Sequence, residues 1–256
     1  MNKTLIIDTH VHAYPSEIFE DPQAWALAQR ETHWAQLVAP RGDRPSLQGF
    51  RDGPGVVDAM AAASVDRGIL AGWYWEQVAT CDWHNAWMLR WMQEFPKRLL
   101  AFASVQPRAG RASLDALKRA VDQGFCGIGE VFPKAQGFAM QDSAWLEMVT
   151  WATHQRLPIL MHVPEPVGRP YSGRVEAALS DYLWLVQEFP DTTFIFAHWG
   201  GGLIFYELNP YVRQSMRNVY YDTAASPLMY ASQIYRVATQ TVGAKRILYG
   251  SDYPLR

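Results

Sequence analysis

Apolar positions along the chain change period repeatedly, and the changes mark out its elements. Val56, Val57, Met60 and Ala63 recur at helical spacing, Gly68 ends that helix, and residues 69–73 form a short apolar run suited to a buried strand. The alternation then repeats. A helix over 82–95 leads to a strand over 99–105, and Leu114, Leu117 and Val121 mark a helix that Gly124 ends before a strand over 125–132. Trp145, Met148, Val149 and Ala152 mark the next helix, before a strand over 159–163. Helix 175–189 precedes strand 193–198, a short helix within 203–216 precedes strand 219–223, and helix 234–242 precedes strand 246–250. Ahead of all these, residues 5–15 hold the first strand, Leu5-Ile6-Ile7-Asp8-Thr9-His10-Val11-His12.

Eight strands alternating with seven helices predict an α/β protein with a closed (β/α)8 TIM barrel. An open doubly wound sheet is the poorer fit, because no glycine-rich dinucleotide fingerprint follows any strand. The eighth helix of such a barrel is missing from this sequence, which ends six residues after Gly250. Residues 16–54 stand apart. They contain Trp25, Trp34 and a turn-rich stretch over 40–54 without clean periodicity, and so long a connection predicts a loop insertion over the active-site face. At 256 residues the whole chain, 1–256, reads as one barrel domain.

Composition narrows the partners. With 49% hydrophobic and 19% charged residues there is ample material for a core, and a net charge of -2 gives no electrostatic footprint for nucleic acid or an anionic membrane. Small molecules or further copies of the chain, as a homo-oligomer, are the expected partners. Cys81 and Cys126 are too few and too far apart for a disulfide framework, the N-terminus lacks an uninterrupted apolar leader, and no run approaches the ~20 residues of a membrane span. These features predict a cytoplasmic protein.

Chemistry concentrates at the ends of the strands. In a barrel the C-terminal strand ends carry the active site, and there stand His10 and His12, Glu130, His162, His198 and Asp252, each after an apolar run. His10 and His12 point to the same side of one strand, since side chains alternate faces. Six such groups meeting in an apolar barrel would be costly unless paired or coordinated, and metal ligation removes that cost. His33, His84 and His154 lack this setting and read as structural or surface residues. After the strands come aromatic residues suited to a planar substrate, Trp73, Tyr74, Trp75, Phe132, Trp199 and Tyr253, with Tyr74 and Trp199 nearest the strand ends and Tyr14 at the entrance to the insertion. Arg169 and Arg174 follow the fifth strand, where they could clamp a carboxylate or lie as solvated surface residues.

Asp8-Thr9-His10-Val11-His12, Ala197-His198-Trp199-Gly200-Gly201-Gly202 and Tyr249-Gly250-Ser251-Asp252-Tyr253-Pro254, together with Glu130 and His162, resemble the amidohydrolase superfamily, in its amidohydrolase-related branch. That branch includes lactone and amide hydrolases and decarboxylases of the aminocarboxymuconate semialdehyde type. The resemblance implies that His10, His12 and Asp252 hold a metal ion, joined by His162 in single-metal members. In two-metal members a strand-four carboxylate, here Glu130, bridges to a second ion on His162 and His198. It implies one tightly held Zn2+ with room for a second, other divalent transition metals also being suited to these ligands. The expected reaction is attack of metal-activated water on an ester, lactone or amide carbonyl, with Asp252 moving the proton and His198 assisting. Two alternatives use the same ligands or none of the chemistry: decarboxylation of an unsaturated or aromatic acid, and a non-catalytic metal-binding barrel.

Overall fold

The computed structural model describes residues 4–40, 42 and 45–255, so residues 1–3 and part of the turn-rich stretch lie outside the described residues. All eight expected strands are present: β1 (Ile7–Val11), β2 (Arg67–Leu70), β3 (Leu99–Ala101), β4 (Ile128–Val131), β5 (Ile159–Met161), β6 (Phe194–Phe196), β7 (Val219–Asp222) and β8 (Ile247–Leu248). Every ladder is parallel. Hydrogen bonds order the strands β1-β2-β3 and β4-β5-β6-β7-β8, and the two seams between these arcs carry isolated bridges, Ala103 to Ile128 and Val11 to Tyr253. Around the second seam Thr9 N donates to Tyr249 O at 2.8 Å, His12 N to Tyr253 O at 2.7 Å, and Asp252 N to His10 O at 2.9 Å. This is the TIM-barrel architecture, drawn together by short contacts at its seams.

Periodicity and capping explain the helices between the strands. Asp52 accepts from Gly55 N at 2.9 Å and Pro54 occupies the first turn of the helix Gly53–Ala62, so it starts where an N-cap and an early proline favour it. In the helix Arg111–Asp122, Leu114, Leu117 and Ala120 are buried on one side, as their spacing requires. The helices Val78–Glu94, Ser143–Gln155, Leu179–Glu188 and Gln233–Val242 complete the main outer layer. The expected helix within 203–216 is divided into Leu203–Tyr206 and Pro210–Ser215, because Asn209 caps a new start with Pro210 in its first turn. Past β8 no helix follows among the described residues.

The insertion is more regular than its sequence suggests. Two helices of seven residues, α1 (Pro22–Ala28) and α2 (Thr32–Val38), lie within residues 16–54. Beneath them Tyr14, Trp34, Trp73 and Trp75 form an aromatic cluster distinct from the layer between strands and outer helices. A third, small cluster of Ala71, Phe102, Leu160, Ile195 and Ala197 fills the barrel itself.

Candidate metal centre

The strand ends bring all six expected donors together. His10 Nε2 lies 3.1 Å from His12 Nε2, and Asp252 Oδ1 is 3.3 Å from His12 Nε2 and 3.8 Å from His10 Nε2. A second triad stands beside this one, with His162 Nδ1 2.8 Å from Glu130 Oε1 and 3.2 Å from His198 Nε2. Glu130 faces both. Its Oε2 is 3.8 Å from His10 Nε2 and 3.9 Å from His12 Nε2, while Oε1 turns to His162 and, at 3.6 Å, His198. Within each triad the donor atoms lie within 4.8 Å of one another.

Local backbone explains how such short segments aim so many side chains inward. His198 (φ 59°), Trp199 (φ 59°), Ala225 (φ 55°) and Asp252 (φ 61°) adopt the left-handed conformation that non-glycine residues avoid, and three of the four follow β6 or β8. Gly250 is needed for packing, since a Cβ there would come within 2.8 Å of His10 Cβ.

A residue that the sequence reading passed over ties the triads together. Asp222, fully buried at the end of β7, accepts from His10 Nδ1 at 2.8 Å through Oδ2, and from His198 N at 2.9 Å and Ala224 N at 3.0 Å through Oδ1. A carboxylate on the far nitrogen of a ligating histidine fixes ring orientation and raises basicity. The signal was available, for Asp222 ends a strand as the other donors do. Its run, Val219-Tyr220-Tyr221, is tyrosine-rich, less apolar than those before Glu130, His162 and His198.

Hydrogen-bond partners decide the tautomers. His12 Nδ1 is 3.1 Å from the carbonyl of Ala71 and His198 Nδ1 3.2 Å from that of Ala224, so both carry hydrogen there and present lone pairs at Nε2. His10, bonded to Asp222 through Nδ1, does the same. Two imidazole lone pairs then face each other at 3.1 Å beside two carboxylates, an arrangement that requires positive charge between them. Without an ion the burden falls on protons. Burial works against charging His10, but Asp222, Glu130 and Asp252 outweigh it and raise its pKa to about 10. Burial likewise opposes charge on His198, which the hydrogen bond with Glu130 and the charge of Asp252 nonetheless lift to about 9. The carboxyl groups move in the opposite sense: against burial, the histidines hold Asp252 down at about 2 and Glu130 well below the ordinary carboxylate value. These donors fit a divalent cation.

A cavity of about 260 Å³ opens onto the cage, lined by His12, Glu130, His162, His198 and Asp252 together with Trp73, Tyr74, Tyr171, Arg169 and Arg174. Leu37, Leu47 and Gln48 of the insertion line it too. His10 lies deeper, fully enclosed. The aromatic expectations divide. Tyr74 is on the wall, stacked on Trp73 at 4.4 Å, whereas Trp199, bent back by its left-handed backbone, donates to Ser226 Oγ at 2.7 Å and packs on Tyr235. Tyr14 also lies off the wall, because the insertion folds over it and Gln48 Nε2 donates to its hydroxyl at 2.7 Å. Trp75, Phe132 and Tyr253 are not lining residues either. The two arginines differ: Arg174 donates to the carbonyls of Glu165, Pro166 and Gly168, tying up its own loop, while Arg169 makes no hydrogen bond or ion pair among the described residues.

The remaining histidines have structural partners or sit at a helix end. His84 accepts from Trp75 Nε1 at 3.0 Å and donates to Ala13 O at 2.9 Å, and burial lowers its pKa to about 4. His33 Nε2 donates to Gly173 O at 2.8 Å, and His154 sits in the last turn of its helix.

Comparison with known proteins gives this cage its relatives. The amidohydrolase family profile matches residues 7–256. The chain belongs to the amidohydrolase family. Among curated proteins nothing matches. Solved structures of the fold include the 5-carboxyvanillate decarboxylase of Sphingomonas paucimobilis, 14% identical with TM-score 0.74, covering 98% of this chain and 89% of that one. That of Novosphingobium aromaticivorans, complexed with manganese, is 17% identical with TM-score 0.71, covering 98% and 86%. A probable 2-pyrone-4,6-dicarboxylic acid hydrolase from Acinetobacter baumannii is 13% identical with TM-score 0.63, covering 98% and 85%. The family resemblance read from the strand-end motifs thus extends over nearly the whole chain.

Proposed function

We propose that this amidohydrolase hydrolyses the ester, lactone or amide carbonyl of a small planar or cyclic substrate, using zinc held by His10, His12 and Asp252 and a second cation site at His162 and His198. The observation that carries the reading is Glu130, whose two oxygens face the two triads from one buried position. A divalent cation held by these residues would supply an activated water as the nucleophile at neutral pH.

The protein's own groups do the rest. Asp252 turns Oδ1 to the first triad and leaves Oδ2 beside His198 Nδ1 at 3.8 Å, so one carboxylate both ligates and carries the proton from water to the leaving group. His198 serves the second triad through Nε2. At about 260 Å³ the cavity suits a small molecule, Tyr74 and Trp73 offer a flat wall, and Arg169 offers a free guanidinium to an anionic substituent. Unpaired Cys81 and Cys126 accord with a reducing cytoplasm, and no helix among the described residues is long and apolar enough to cross a membrane. We take a small molecule as the partner, with neither nucleic acid nor membrane, and self-association as the chain's further interaction.

A second reading is decarboxylation of an aromatic or unsaturated acid, favoured by the decarboxylases among the fold relatives. Zinc- or manganese-loaded protein assayed against lactones, esters, amides and unsaturated carboxylic acids, with acid release and carbon dioxide followed together, separates the two. Acid release without carbon dioxide is expected. Asp252→Asn should keep the fold by circular dichroism and lose turnover; full activity in that variant would remove Asp252 from the mechanism.

A further inference from the structure

Charge develops on the carbonyl oxygen when water adds to its carbon and the C=O electron pair moves outward, so a hydrolase gains from a hydrogen-bond donor aimed at that oxygen. Within the cage, the Nδ1 hydrogens of His10, His12 and His198 are committed to Asp222, Ala71 O and Ala224 O, and His162 meets Glu130 through Nδ1. On the cavity wall Gln48 is committed to the Tyr14 hydroxyl and Arg174 to the carbonyls of its own loop. Of the wall donors still free, which include Arg169, the Tyr74 hydroxyl is carried by a ring packed against the cage.

Tyr74 is 4% exposed and lines the cavity, yet its hydroxyl makes no hydrogen bond among the described residues. The fully enclosed side-chain atoms left without a partner are the indole nitrogens of Trp34, Trp73 and Trp145; the Tyr74 oxygen is not one of them, and therefore borders the cavity's open space. Three rings fix its position: Trp73 stacked at 4.4 Å, Phe132 edge-on at 5.5 Å and the cage residue His162 at 5.1 Å. A tyrosine hydroxyl, with an ordinary pKa of about 10, carries its proton at neutral pH and can donate it to a hydrogen bond.

We propose that the Tyr74 hydroxyl is a catalytic hydrogen-bond donor to the substrate oxygen that gains negative charge as the carbonyl is attacked. This rests on the hydrolytic reading, and it assigns Tyr74 a chemical task beyond that of an aromatic wall. A donor of this kind, preorganised by packing, is worth roughly 100-fold in kcat or more.

Tyr74→Phe removes the oxygen and keeps the ring. In zinc-loaded enzyme the variant is expected to lose about 100-fold in kcat with little change in KM, while zinc content and melting temperature match the wild type. Wild-type kcat in the variant would overturn the assignment, and so would a loss that tracks with lost zinc or a lowered melting temperature. Calorimetric titration with benzylphosphonate, a tetrahedral anion, reads the donor without turnover: Tyr74→Phe should bind it roughly 10-fold or more weakly, and equal affinity refutes the proposal. Should the wild type turn over nothing in the hydrolysis screen, the hydrolytic reading falls, and the phosphonate titration alone decides for or against Tyr74.

Discussion

Asp222 shows how much a single side chain can govern here. It fixes the His10 ring through Nδ1 and the backbone of His198 through N, so one carboxylate orients a member of each triad. Asp222→Asn should still offer an acceptor but can no longer supply charge to His10. We expect zinc affinity to fall about 10- to 100-fold, the range typical of lost second-layer partners, as measured by chelator competition; unchanged affinity would show that Asp222 serves packing alone. At this scale the strand-end rule reached the six donors because burial makes an isolated polar residue conspicuous after an apolar run. It could not place Trp199, whose direction depends on two left-handed residues that no hydrophobic pattern reports. Nor could it separate Arg174 from Arg169, because the difference lies in which carbonyls the loop happens to fold around one guanidinium.

Among the elements, those of the insertion were least legible. Helices α1 and α2 have two turns each, too short for a period to establish itself, and α2 buries His33, Trp34, Ala35 and Val38 around more than one side. Only the start signal of α1, Asp21 followed by Pro22, stands in the sequence, and Asp21 accepts from Ala24 N at 2.9 Å. What holds α2 in place is a pair of exchanged carboxylates. Glu31 accepts from Glu76 N at 2.6 Å and Gln77 N at 3.1 Å ahead of the helix Val78–Glu94, and Glu76 accepts from His33 N and Thr32 Oγ1, both at 2.7 Å, at the start of α2. Burial, only partly offset by those backbone hydrogen bonds, raises the Glu31 pKa from 4.5 to about 7. In the window between these values the folded chain keeps a proton that the unfolded chain has released, so this group's contribution falls as pH rises from about 4.5 to about 7 and is level above. Glutamine does not titrate. The melting temperature of Glu31→Gln relative to the wild type should therefore improve steadily across that window, and a pH-independent difference would rule out Glu31 as its source.

For the whole molecule, the barrel and the cage stabilise each other through the same residues. Main-chain bonds at the β8–β1 seam run through Thr9, His10, His12 and Asp252, so three cage donors also close the ring. A metal ion bound to them would act on the fold directly, because the unfolded chain lacks the preformed site. Without the ion the barrel must hold the Nε2 atoms of His10 and His12 3.1 Å apart beside Asp252 and Glu130, using protons to balance the carboxylates. Chelation is thus expected to lower the melting temperature while leaving the secondary structure largely intact, since strands and outer helices have their own apolar core. Restoring free zinc to about 1,000 times its dissociation constant should return about 4 kcal/mol at a single site. Filling both triads would add a second increment that Glu130→Gln would diminish, since the carboxylate facing both triads then loses its charge. Titration calorimetry with zinc on the chelated protein, combined with metal analysis, tests this: two bound ions per chain fit the paired triads, whereas one ion, with Glu130→Gln leaving its affinity unchanged, would assign Glu130 to orienting His162 instead.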